Sequence, residues 1–447
     1  KFRTGVSAMT TAPTILLMTV GVGDPAKLEE TLYTPLLKSI DQGAWRRVVL
    51  LPSTETRPHA EVIRDRRPDL AFDIRAFDHP QTENDVDACF AFLDIVIADL
   101  LRNGAVPADL AADFTRGTKA MSAALVMAAV RRGIRELRYI EGEREKGTVK
   151  PGTEKVRNFY PLKAVAGHRF DACRTLLRRG AFTAATDLLA DDILDAEEWD
   201  NELRDKAKAP RGLARFLAAW DRLDYCQAKC ELAALEKRPL AGDWVDFTPP
   251  EGVAAWIDSL AAKADRTNMP FMAERCRRLA VDLTANAERC VAQGRYEDAL
   301  VCGYRVWELL GQAALFRHGF DSGEMPASDG RVVAFIERLK KNNSNLPGRH
   351  PKCTEKYQFS REQVARFLKH LDDPVGNVLL EFGKDGHPGA VFRNRNISIL
   401  IHGFEAQGPR DHKTARELLN GLAGLLGADA LANLEIARWP GRLDGTG

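Results

Sequence analysis

No run in this 447-residue chain approaches the roughly 20 consecutive apolar residues that a membrane-spanning helix requires. An excess of charge of either sign is missing too. Lys and Arg number 64 and Asp and Glu 63, a formal net charge of +1. A broad electrostatic footprint for duplex DNA is therefore excluded, and any nucleic-acid site has to be local. The opening residues KFRTGVSAM lack the apolar core of a signal peptide, and Met9 is the expected natural start. Eight cysteines are scattered along the chain. Only Cys226 and Cys230 lie close together, one helical turn apart, and no second pair completes a zinc site. Reduced thiols in a cytoplasmic protein, with no metal and no cofactor, are the expectation.

What is present is a globular balance, 45% hydrophobic and 28% charged residues, over a length that suggests two or three domains. From residue 14 to about 142, short runs rich in Val, Ile, Leu and Phe alternate with helical segments. TILLMTVG, RRVVLLPS, AFDIRAFD, ADLAADFT and RELRYIEG read as strands covered on both faces. NDVDACFAFLDIVIADLLRNG and KAMSAALVMAAVRRGI read as helices between them. Five such strands predict a parallel, doubly wound sheet.

The stretch EREKGTVKPGTEKVRN, residues 143–158, is charged, contains Gly and Pro, and has no apolar period, so a domain boundary is expected there. Beyond it the strand signal nearly vanishes. Tyr296, Ala299, Leu300, Gly303, Trp307, Leu310 and Ala314 form one stripe at helical spacing. Two G-x-aromatic-x-x-A turns, at Gly180 and Gly294, resemble those of helical repeats, but two copies make no solenoid. RLKKNNSNLPGRHPK, residues 338–352, is basic; it reads either as a solvated connection or as an RNA-contacting loop.

In an open parallel sheet, ligands bind beyond the carboxyl ends of the strands, where strand order reverses. Two loops fall there. TVGVGDPA follows the first strand and brings Gly21 and Gly23; FTRGTKAMS follows the fourth. In the second, Gly117 admits close backbone approach, and Thr118 can cap a helix whose free N–H groups favour an anion. Lys119 adds a point charge, and Thr115, Thr118 and Ser122 add hydroxyls. Taken alone, this also fits a plain strand–helix turn. GVGDPA matches the dinucleotide fingerprint G-x-G-x-x-A, but Pro25 falls inside it and the first acid past the second strand, Glu55, lies 34 positions beyond Gly21. About 20 are expected.

The strand-one TVGVG and the TRGTKAM loop resemble a CARF domain, the Rossmann-like sensor of type III CRISPR systems. Its loop commonly reads T-G-G-T-K-x-M, matched here by Thr115, Gly117, Thr118, Lys119 and Met121, with Arg116 in place of a glycine. The resemblance covers roughly residues 10–145 and implies binding of a cyclic oligoadenylate across a dimer of such domains. Gly21, Gly23, Thr115, Arg116, Gly117, Thr118, Lys119 and Ser122 are the expected ligand-binding residues.

At the other end stands RNRNISILIHGF, residues 393–404. If helical, it places Arg395 and His402 two turns apart on one face, about 10 Å along the axis. Ile397, Leu400 and Ile401 would anchor it in a core. His titrates near neutrality and can move a proton to or from an RNA oxygen; Arg can clamp phosphate; Asn396 can orient. Arginine is common enough for the spacing to arise by chance, yet no other His of this chain has an Arg at that distance. The segment Arg395–Asn396–x5–His402 resembles the R-x(4–6)-H motif of HEPN ribonucleases, in which a polar residue follows the Arg. The helix with Tyr296, Asp298, Arg305 and Glu308 is similar to an earlier bundle helix of that family.

Sensor first and HEPN last is the order of the CARF–HEPN ancillary ribonucleases. The expected fold is thus an α/β Rossmann-like CARF domain over 10–145, a linker and helical connector over 146–250, and an all-α HEPN domain over 251–447. The resemblance implies an endoribonuclease of antiviral defence that cleaves single-stranded RNA by 2′-OH attack. It needs no metal, is switched on allosterically by cyclic oligoadenylate, and works as a homodimer with Arg395, Asn396 and His402 catalytic. The alternative is a non-catalytic CARF sensor that recruits a partner or nucleic acid through its helical half; a third reading is an oxidoreductase. His387 and His412 are expected in surface loops.

Overall fold

The computed structural model describes residues 12–77, 82–145, 148–149, 152–196, 199–382 and 428–439. The chain divides into two compact units, Lys1–His168 and Arg169–Gly447.

In the first unit, β1 (Ile15–Val20), β2 (Arg47–Pro52), β3 (Ala71–Ile74), β4 (Leu110–Asp113) and β5 (Glu136–Glu141) are the five expected strands. They run parallel in the order β3-β2-β1-β4-β5. Every residue of β1 is buried because both faces of the sheet are covered. Ile15, Leu17, Val49 and Ala112 pack under α3 (Val86–Arg102) and α4 (Lys119–Arg131). Leu16, Met18, Val48 and Leu50 pack under α1 (Thr34–Asp41) and α2 (Arg57–Asp65). Full burial of one such side chain stabilises by about 1.5–3 kcal/mol.

Residues 143–158, where a domain boundary is expected, carry paired strands, and the division between the two units falls after them. They include a short hairpin, β6 (Arg144–Glu145) with β7 (Thr148–Val149), and most of β8 (Lys155–Phe159). The last joins the sheet antiparallel to β5, Leu137 opposite Phe159 and Glu141 opposite Lys155. Four of its five residues are exposed, so an edge strand leaves no apolar period. The next helix, α5 (Leu162–Arg178), contains the division between the units.

The second unit is helical: α6 (Phe182–Leu188), α7 (Asp191–Ala196), α8 (Asn201–Asp221), α9 (Tyr225–Glu236), α10 (Val253–Ala261), α11 (Met269–Ala292), α12 (Tyr296–Arg317), α13 (Gly330–Lys341), α14 (Arg361–His370), α15 (Pro374–Phe382) and α16 (Ala428–Arg438). Caps set their starts as side-chain chemistry dictates. Asn268 accepts from the Phe271 amide at 3.0 Å ahead of α11, and Ser360 and Gln363 form a reciprocal capping box on α14. One core runs from Cys173 and Leu177 to Leu434 and Ala437. The helices between residues 169 and 250 therefore share a core with α11–α15. The stripe on α12 is buried at Ala299, Leu300, Gly303, Trp307, Leu310 and Ala314.

Strands do occur in this half. β9 (Met325–Pro326), β10 (Gly348–His350) and β11 (Cys353–Gln358) form a small antiparallel sheet in the order β10-β11-β9. The basic tract 338–352 thus runs from the last turn of α13 through a turn into a hairpin. The two G-x-aromatic turns also meet: Gln293, just before Gly294, donates its amide to the Gly180 carbonyl at 3.0 Å. At the centre, Asp282 is wholly buried. Its carboxylate accepts from Trp220 Nε1 (2.9 Å), Trp256 Nε1 (3.2 Å) and the Tyr225 hydroxyl (2.8 Å).

Candidate functional site

Strand order reverses between β1 and β4, which are hydrogen-bonded neighbours whose following helices lie on opposite faces. The crevice beyond their carboxyl ends is where such sheets bind ligands. The loops after β1 and β4 border it, and they touch. A Cβ placed on Gly21 would lie 2.5 Å from the Gly117 amide nitrogen and 2.8 Å from its Cα. Gly117 itself has φ +112°, which a side chain would strain. Gly23 is closed in by Leu28, Thr31 and Leu32. Two stretches some 95 residues apart in sequence therefore form one rim.

The β4 loop is braced from below. Thr19 donates its hydroxyl to the Arg116 carbonyl. Asp113, wholly buried, accepts from the Thr115 amide at 2.8 Å and from the Ser39 hydroxyl. The Thr115 hydroxyl accepts from the Ile140 amide at 2.9 Å. Thr118 caps α4 by accepting from the Met121 amide at 3.1 Å, and its hydroxyl donates to the Glu83 carbonyl. Ser122 donates to the Phe114 carbonyl at 3.2 Å.

These bonds sort the expected residues. The hydroxyls of Thr115, Thr118 and Ser122 are engaged in shaping the loop. Lys119 is exposed at the first position of α4, with no carboxylate partner among the described residues. Arg116 is half-buried, and its Nε is buried with no hydrogen-bond partner. Burial pushes its guanidinium pKa below the usual value. An unsatisfied buried donor beside a helix N-terminus suits an anion or an acceptor-rich base. Arg116, Lys119 and the first amides of α4 are thus the groups left over for a ligand.

Beneath the loop lies a polar cluster that strand periodicity did not reveal. Arg138 stands opposite Asp113 in the β4–β5 register, is buried, and lies 4.9 Å over the Trp45 ring. Burial raises the Asp113 pKa and lowers that of Arg138; the opposite charges act against both shifts. The signal available in sequence was a charged residue in the middle of ELRYIE and an acid ending LAAD.

Arg395, Asn396 and His402 lie outside the described residues, as do His387 and His412. Among the described residues, α11 and α12 are the longest helices of the second unit. Arg305 pairs with Glu308 at 2.8 Å on α12, and Arg295 pairs with Asp298 at 2.8 Å at its start. On α16, Arg438 grips Glu288 of α11 through two contacts of 2.7 Å.

Residues 268–426 match the family model described as the Csm6 HEPN domain. The match begins at the cap of α11 and spans the Arg395–His402 stretch. A solved structure of Enterococcus italicus Csm6 bound to cyclic hexa-2'-fluoro-hexa-dAMP is similar to this chain, with a TM-score of 0.52 and 12% sequence identity over 95% of this chain and 98% of that one. At that identity the likeness is one of fold. No curated protein matches the sequence. No helix among the described residues is long and apolar enough to cross a membrane.

Proposed function

We propose that the chain is a CARF–HEPN ancillary ribonuclease, a metal-independent endoribonuclease switched on by cyclic oligoadenylate; the Csm6 HEPN match and the fold likeness to a Csm6 support this reading. The observation that carries the reading is the Csm6-type HEPN match across Arg395–His402, in a chain whose other unit has a crevice suited to a phosphorylated ligand.

In this reading the sensor ligand places phosphates against Lys119 and the N-terminus of α4, and an acceptor-bearing edge against Arg116. The fold likeness to a Csm6 bound to a cyclic hexa-adenylate analogue supports that ligand class. In the helical unit, His402 moves the proton between the RNA 2′-hydroxyl, the solvent and the departing 5′-oxygen. The 2′-oxygen attacks the adjacent phosphorus, the bond to the 5′-oxygen breaks, and a 2′,3′-cyclic phosphate forms. Arg395 balances charge building on the phosphate, and Asn396 orients it. One chain brings a single set of these residues, whereas the reaction calls for both an acid and a base. Two chains about a two-fold axis would supply both.

The deciding experiment is a fluorescent single-stranded RNA reporter, incubated in EDTA with cyclic tetra-adenylate or cyclic hexa-adenylate. Cleavage that requires one of the rings supports the reading. Ring binding without cleavage would instead mark a sensor that recruits a partner.

A further inference from the structure

We propose that the acid-free tract Arg338–Lys352 is an RNA-docking surface that holds single-stranded substrate outside the cut site. The inference rests on the ribonuclease reading for the identity of its ligand, but its observations are separate.

In a chain with nearly equal cations and anions, these 15 residues contain five Lys or Arg, one His and no Asp or Glu. Arg338, Lys340, Lys341, Arg349 and Lys352 are all exposed. Elsewhere arginines and lysines are commonly paired, as in Arg331–Asp329 and Lys356–Glu324 on the flanking elements. Among the described residues, Arg338, Lys340, Lys341 and Lys352 have no carboxylate partner.

The backbone that carries them is ordered by its own bonds. Asn343, at φ +49°, ends α13, and the Ser344 amide returns to the Leu339 carbonyl at 2.9 Å. Gln363 ties the turn to α14 through the Asn345 carbonyl at 3.3 Å. In the hairpin, Arg349 lies 4.2 Å over the Tyr357 ring and donates to the Thr354 carbonyl at 2.6 Å. Cations near a helix C-terminus complement its dipole. That accounts for Arg338, Lys340 and Lys341, and the contacts to Tyr357 and Thr354 hold Arg349; Lys352, in the hairpin turn, is left without such a role.

The chemistry selects a phosphate polymer. A membrane surface would need an apolar face beside the cations, and Leu346 is the tract's one exposed large apolar side chain. Asn342, Asn343, Ser344 and Asn345 interleave amides and a hydroxyl that can reach sugars and base edges. The tract also lies within the matched HEPN segment, the unit assigned to RNA.

The test uses the full chain and a 2′-O-methyl single-stranded RNA, which cannot be cut. Lys340→Glu/Lys341→Glu/Lys352→Glu should bind it at least tenfold more weakly. Its plot of log affinity against log salt should be shallower by roughly 2, about 0.7 for each lost phosphate contact. The Lys→Arg version should retain binding and the Lys→Gln version should fall between, which separates charge from misfolding. With cleavable RNA, the triple Glu variant should lose more kcat/KM on a substrate of about 30 nucleotides than on one of about 8, since only the longer reaches beyond one binding patch. Equal affinity and slope in the triple Glu variant overturn the proposal. So does failure of the wild-type chain to bind the uncleavable RNA, or displacement of that RNA by polyglutamate. If the wild type binds through these lysines but cuts nothing, the ribonuclease reading falls and the docking surface stands. If RNA is cut with an unchanged length dependence in the variant, the surface falls and the ribonuclease reading stands.

Discussion

Gly21 and Gly117 meet backbone to backbone: a Cβ on Gly21 would sit 2.5 Å from the Gly117 nitrogen, closer than real Cβ atoms come to any such atom. The contact joins the β1 and β4 loops into one rim of the candidate crevice. Gly21→Ala should therefore push the Thr115–Thr118 loop off its braces. The expected result is a destabilisation of about 1–3 kcal/mol, the usual cost of overpacking a tight site, with a higher ring concentration for half-maximal activation. Thermal melting and calorimetric titration of the ring check both parts. Gly167→Ala is a suitable control, because Gly167, like Gly21, has no positive φ, and nothing lies within 4 Å of its Cβ position.

Lys119 and Thr118 should separate in their effects. Lys119 is exposed and has no carboxylate partner among the described residues, so Lys119→Ala should leave stability nearly unchanged. It should weaken ring binding tenfold or more, since a charged hydrogen bond contributes about 1.5–3 kcal/mol. Thr118→Ala removes the α4 cap and the bond to Glu83, and should cost about 1 kcal/mol of stability along with affinity. Comparable melting temperatures for the two variants would assign Thr118 no bracing role.

The parallel sheet was legible because strands buried on both faces must be continuous apolar runs, as LLMTV and VVLL are. Edge strand β8 was not, since most of KVRNF faces solvent and its place depends on pairing with β5. The strands β9–β11 are two to six residues long, β10 and β11 mostly polar, and only their pairing makes them a sheet. At the crevice, residue types and the loop positions were readable. The closeness of Gly21 to Gly117 was not, because nothing local encodes a contact across two strands. The same holds for the bracing of Thr115 by Asp113 and Ile140: a hydroxyl in a motif does not announce whether it faces a ligand or its own backbone.

Asp282 gives a test of the helical core. Its carboxylate is the shared acceptor of two indole N–H groups and a phenol, from α8, α10 and α9. Burial pushes the pKa of Asp282 and of the Tyr225 phenol upward. Asp282→Leu would leave all three donors without an acceptor, at about 1–3 kcal/mol for each. Chemical denaturation should show a loss near the sum of these, large enough to unfold much of the protein at 37 °C. Asp282→Asn keeps an acceptor oxygen but turns a donor toward another donor, and should lose less. A leucine variant as stable as wild type would show that the three helices do not rely on this anchor.

The most informative mutations fall on His402 and Arg395. His402→Ala and Arg395→Ala should each abolish RNA cleavage while the folded chain still binds its ring. Products of the wild type should end in a 2′,3′-cyclic phosphate or its 3′-phosphate, and RNA with a 2′-deoxy residue at the cut site should survive. If the site is composite, mixing His402→Ala chains into wild type lowers activity beyond dilution, because each mixed pair has only one histidine. For equal amounts exchanging freely, roughly half of the pairs are mixed and a quarter are wild type, the outcome a closed two-fold interface dictates. Activity should then approach a quarter of the starting value per total protein. A fall to one half, in proportion to the wild-type chains, or sedimentation of an active monomer, would place a complete site within each chain.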